Sequence, residues 1–197
     1  MFDIYVHRMG GISKTTLAKA VLDKFSGRFE SWKLIENVRE ECLVQGGLNK
    51  LKEKLRRMQG KNVLIVLDYV DEGNQIDELV EEHIGYGAGS VIIVTCREKH
   101  ILRRCKGVAL DQIIHFEMNY MEYENALRLF CKKTFERDTP PHGFENLSGE
   151  VVKKTGGLPL SLIVMARSIV TTKEKGRHGR NSERIQRIFL IKMRTKC

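Results

Sequence analysis

The chain has 197 residues, of which 42% are hydrophobic, and a formal net charge of +9. That length suits one domain of ordinary size or one domain with an appendage, and the apolar content is too high for a chain that stays disordered. No apolar run approaches the roughly 20 residues that span a bilayer. The opening "MFDIYVHR" lacks the basic start and long apolar stretch of a secretory leader, so a soluble intracellular protein is expected.

The charge is unevenly placed. Residues 173–197 hold nine Lys/Arg against two Glu, a net +7, which leaves +2 for residues 1–172. A basic tail of this kind reads first as a solvated end, which argues against nucleic acid as the main partner. The five cysteines (Cys42, Cys96, Cys105, Cys131, Cys197) are scattered, odd in number and without a CxxC pair, as reduced structural thiols would be.

In chain order, "FDIYV" (2–6) is strand-like, and Lys14 to Phe25 carries Leu17, Ala18, Val21, Leu22 and Phe25 at helical spacing. A second strand is expected over 32–38 and a helix over 47–58, where Leu48, Leu51 and Leu55 share a face. "NVLIVLD" (62–68) and "GSVIIVTCR" (89–97) are apolar throughout, with a helix expected between them over 75–83. Strands that do not alternate are covered on both faces, and with intervening helices they predict a parallel α/β sheet with right-handed crossovers. Beyond residue 120 the pattern changes to three helices, over 123–135, 144–156 and 158–170. The expected map is an α/β domain over 1–120, a small helical module over 121–171 and a poorly ordered basic tail over 172–197.

The segment "RMGGISKTT" (8–16) sets the chemistry. A phosphate-binding loop needs converging backbone N–H groups, a lysine for the β and γ phosphates and a hydroxyl for magnesium. Gly10 and Gly11 allow unusual backbone angles. Lys14 supplies the cation, Thr15 the hydroxyl, and the helix starting there adds its dipole. Taken alone, this reads equally well as a glycine-rich turn before an ordinary helix. The strand "VLIVLD" then delivers Asp68 to a strand end, where a carboxylate can hold a magnesium ion through water. The two together are far more specific than either.

On these blocks the sequence resembles the NB-ARC domain of plant disease-resistance proteins. "RMGGISKTT" is similar to the family's GMGGIGKTT, "LIENVREE" to FLENVRE, "KNVLIVLDYVD" to KKVLIVLDDVD, "GAGSVIIVTCREKHIL" to GPGSRIIITTRDKHVL, and "GGLPLSL" to GGLPLAL. The LIENVREE block and Asp71 point to the class that carries a Toll/interleukin-receptor-like domain. The resemblance implies a P-loop NTPase-like sheet followed by an ARC1-like helical module, acting as a cytoplasmic or nucleocytoplasmic ADP/ATP switch in defence signalling. It further implies that Gly10, Gly11, Ile12, Ser13, Lys14, Thr15 and Thr16 cradle the phosphates, and that Thr15 and Asp68 organise Mg²⁺. Arg97 would sense the γ-phosphate, and Pro159 would close over the base. Away from that context Arg97 reads as a solvated strand-end charge and Pro159 as a helix-start residue.

The departures from the family pattern fall on the chemistry. Ser13 and Arg8 stand where the loop has glycine, which predicts weakened binding, on the order of tenfold if Ser13 must be left-handed. Tyr69 replaces the second aspartate, and a phenol is a poor general base, so turnover is expected to be very slow or missing. A nucleotide-free interaction module, associating with full-length resistance proteins or with itself, is the alternative these substitutions favour.

Overall fold

The computed structural model describes residues 2–80, 85–98, 101 and 113–175. Five strands, β1 (Phe2–His7), β2 (Ser31–Ile35), β3 (Val63–Val70), β4 (Val91–Cys96) and β5 (Ile113–Glu117), form one sheet in the order β2-β3-β4-β1-β5, with every pairing parallel. The connections carry α1 (Lys14–Phe25), a short 3-10 turn (Ser26–Arg28), α2 (Val38–Leu43), α3 (Gly47–Arg56) and α4 (Gly73–Val80).

The even-numbered and odd-numbered residues of β3 enter different cores. Leu64 and Val66 join Val6, Ala18, Leu22 and Ile93 on the α1 face. Val63, Ile65 and Leu67 join Val38, Leu51, Leu55, Ile76, Leu79, Ile92 and Val94 on the face covered by α2, α3 and α4. Burial on both faces is the physical reason that "VLIVL" shows no alternation.

Three elements differ from the sequence-based expectation. β2 stops at Ile35, three residues short, because Asn37 takes a left-handed turn (φ 54°) into α2. α2 is only six residues long and buries Val38 alone, too little to display a helical period. β5 also escaped the reading. Among the described residues it pairs with β1 only, and four of its five residues are exposed, so it lacks the apolar run of β3.

The described residues divide into two compact units at Met118/Asn119. The second unit holds α5 (Tyr123–Phe135), α6 (Glu145–Thr155) and α7 (Pro159–Lys175) around Ala126, Phe130, Val151, Val152, Leu162, Ala166 and Ile169. In the "GGLP" turn, Gly157 is required as glycine: its φ is 72°, and a Cβ there would lie 2.4 Å from the Met121 carbonyl oxygen. α7 runs to Lys175, and the rest of the basic tail lies outside the described residues. Among the described residues no helix is long and apolar enough to cross a membrane.

Candidate functional site

The carboxyl ends of β1, β3 and β4 lie side by side in the sheet, which brings together the loop 8–13, Asp68 and Arg97. Chain order reverses at this point. From β1 the chain crosses to β2 at the far edge, then returns through β3 and β4 to β1's side. Open α/β sheets bind ligands at such a reversal, outside the carboxyl edge.

The loop is built on unusual backbone angles. Gly11 has φ 81°, Ser13 φ 72° with ψ 31°, and Arg8 φ 155°, all in ranges that glycine enters most freely. Ser13 caps α1 without using its side chain, and the first turn of α1 contains no acid, so the amide donors there are left for an anion. Ile12 is buried (1% exposed) and offers only its backbone outward, while Thr16 is exposed on the first turn. Arg8 turns its guanidinium to the end of β5, donating to the Met118 carbonyl at 2.8 Å and pairing with Glu117 at 3.5 Å.

Lys14 is 8% exposed, and its ammonium donates to the carbonyls of Arg8 (2.5 Å) and Met9 (3.0 Å). Both partners are neutral. Burial pushes this ammonium below its ordinary value, with Arg97 adding to the effect and Asp68 opposing it. A buried cation bonded to carbonyl dipoles alone fits an anion at the loop, which would supply the missing charge.

Asp68 (6% exposed) is the hub of the opposite wall. The Thr15 hydroxyl donates to both of its carboxylate oxygens at 2.9 Å, and the buried Thr95 hydroxyl donates to one at 2.6 Å. Thr95 in turn accepts from the Tyr69 backbone N–H at 2.9 Å. Thr95 was missed by the sequence reading. Its only signal is a lone hydroxyl near the end of an otherwise apolar strand. A carboxylate and a hydroxyl held at this distance are the donor set that a hard, hydrated divalent cation takes beside phosphates.

Beyond Asp68 the strand register breaks between Leu67 and Val70, and Tyr69 adopts φ 62°. Its ring lies under the Arg97 guanidinium, 4.9 Å from centroid to carbon. A Cβ built at Gly10 would lie 3.8 Å from the same guanidinium, so Arg97 borders the loop. Asp71 accepts from Gln75 at 2.9 Å and pairs with Arg39 at 3.0 Å, closing the turn into α4. Cys96 sits behind the loop, its thiol pushed up to about 11 by burial, and is no nucleophile. Cys42, Cys96 and Cys131 are free thiols, and Cys105 and Cys197 lie outside the described residues. Pro159 is buried at the first position of α7 and belongs to the second unit.

A parallel sheet in this strand order, with a lysine-bearing loop after β1 and an acid on β3, belongs to the P-loop NTPase-like class. The fold is similar to that of RuvB from Thermotoga maritima (TM-score 0.64, 13% identity, covering 97% of this chain and 62% of that one) and of PCH-2 from C. elegans (TM-score 0.59, 14% identity, 98% and 61%). Identities this low speak for the fold alone. Residues 33–140 match the NB-ARC domain model, and the chain belongs to the NB-ARC family. It is 33% identical over 183 residues to the disease resistance protein RUN1 of Vitis rotundifolia, covering 81% of this chain and 13% of that protein. It is 32% identical over 190 residues to RML1B of Arabidopsis thaliana (83% and 18%) and 32% over 182 residues to the TMV resistance protein N of Nicotiana glutinosa (79% and 15%). The chain thus spans less than a fifth of the length of these relatives.

Proposed function

We propose that this chain is the ADP/ATP-binding switch domain of a plant immune receptor, working in defence signalling in the cytoplasm or between cytoplasm and nucleus. The observation that carries the reading is the convergence of Lys14, Thr15, Asp68 and Arg97 at one sheet edge, with the lysine buried and bonded only to neutral carbonyls. In this reading the amides of Gly10 through Thr16 and the Lys14 ammonium take the phosphates. Thr15 and Asp68 take Mg²⁺, which would neutralise phosphate charge when bound. Arg97 meets the γ-phosphate.

No carboxylate stands at position 69 to draw a proton from water, so the domain binds nucleotide with at most very slow hydrolysis. Two residues with side chains hold glycine-favoured angles at positions 8 and 13, and binding is weakened relative to a loop with glycine there by whatever part of that strain grows as the loop closes on phosphate. The same strain favours the second reading, a nucleotide-free module that associates with full-length resistance proteins or with itself.

Calorimetric titration of the chain with ADP and Mg²⁺ separates the two, with Lys14→Ala as the control. Saturable binding that the substitution abolishes is expected. A folded protein that takes up no ADP at millimolar concentration would leave the interaction module as the function.

A further inference from the structure

Tyr69 takes no part in the phosphate and metal contacts, yet its placement is specific. A left-handed angle is costly for an aromatic residue, and here it is held by the backbone hydrogen bond to Thr95 and by the register break in β3. Arg39, itself paired with Asp71, lies near enough to the Tyr69 side chain to interact with it. Over the ring face lies Arg97, whose guanidinium also borders Gly10 of the loop. Among the described residues Arg97 makes no ion pair with a carboxylate.

The ring and a carboxylate would treat this guanidinium differently. A carboxylate beside Arg97 would take two of its N–H donors and cancel its charge. It would also repel an incoming terminal phosphate. A ring face attracts the cation through its quadrupole, leaving the in-plane donors and the full positive charge available.

We infer that Tyr69 is a positioning and specificity-determining residue, which holds Arg97 against the phosphate loop as an unneutralised cation and so sets the preference for a nucleoside triphosphate over a diphosphate. This rests on the nucleotide-binding reading and deepens it. The exchange of acid for tyrosine gives up turnover and keeps recognition of the third phosphate.

The test measures affinities of the full chain, with Mg²⁺, for ADP and for a non-hydrolysable ATP analogue. Variants are Tyr69→Phe, Tyr69→Ala, Tyr69→Asp, Arg97→Ala and the Tyr69→Ala/Arg97→Ala double. Tyr69→Phe keeps the ring and is expected to keep the triphosphate-to-diphosphate ratio within about twofold. Tyr69→Ala is expected to lower that ratio about three- to tenfold, and Tyr69→Asp by more. The Tyr69→Ala effect is expected to vanish once Arg97 is gone. Should Tyr69→Ala unfold the chain, the comparison of Phe with Asp carries the test. Equal ratios across the Tyr69 variants, or an effect that persists without Arg97, would overturn the inference while leaving nucleotide binding intact. A wild-type chain that binds neither nucleotide overturns the nucleotide reading and this inference with it.

Discussion

The two edges of the sheet handle a buried carboxylate in opposite ways. At the amino edge, Asp3 on β1 is 2% exposed and lies between Ile92 and Ile113 in the sheet, with no hydrogen-bond partner among the described residues. Burial pushes its carboxyl up to about 6. At the carboxyl edge, Asp68 is nearly as buried but receives two hydroxyls and faces a lysine-bearing loop. The difference teaches where a parallel sheet supports chemistry. Strand interiors supply apolar neighbours, while the loops and helix starts at the carboxyl edge supply donors and cations.

The comparison can be broken most strongly at Asp3. Its carboxyl titrates near 3.8 when unfolded and near 6 when folded, so the native state binds the extra proton between those values. Stability should therefore rise as pH falls from above 6 towards 4, and the penalty should be fully present at pH 7. A shift of about two units is worth about 3 kcal/mol at most, so Asp3→Val should stabilise by an amount approaching that and flatten the pH dependence. Urea unfolding at pH 4.5 and pH 7.5 checks this. A loss of stability at both values would mean that the carboxyl has a partner.

Asp68→Ala should act in the opposite direction. It strands the Thr95 hydroxyl, which is 1% exposed, and removes an acceptor from Thr15, for an expected loss of about 2–3 kcal/mol by the same denaturation. A loss under 0.5 kcal/mol would show that water replaces the carboxylate and that the two edges differ less than their geometry indicates. Thr95→Val is the milder probe. It leaves Asp68 bonded to Thr15 but orphans the Tyr69 N–H, at about 1 kcal/mol.

The smallest expected effect sharpens the loop itself. Ser13 already holds its left-handed angle, so its strain weighs on the folded loop whether or not an anion is present. Ser13→Gly should raise stability by about 0.5–1 kcal/mol, the relief of strain less the entropy glycine gains on unfolding. If that strain is fully present before binding, the ADP dissociation constant moves less than about twofold. A tenfold tightening would instead mean that the loop rearranges to bind, and would place the cost of Ser13 on recognition.

Sequence alone determined the parallel α/β character, because strands buried on both faces must be apolar throughout, and β3 and β4 are. It also singled out Lys14, Thr15 and Asp68, which stand at the end of a strand or the start of a helix that periodicity marks, whereas Arg97 was reached only through the family resemblance. It did not reach β5 or α2, whose short, exposed or turn-bounded residues carry no period. Nor did it reach the contacts that depend on which strands become neighbours. Thr95 meets Asp68 because β4 lies beside β3, and Asp3 is stranded because β4 and β5 both flank it with isoleucine. Arg97 meets the Tyr69 ring only because the β3 register breaks and turns position 69 left-handed. Strand order and a local left-handed turn are long-range outcomes, decided by packing across the whole sheet, and no window of residues along the chain contains them.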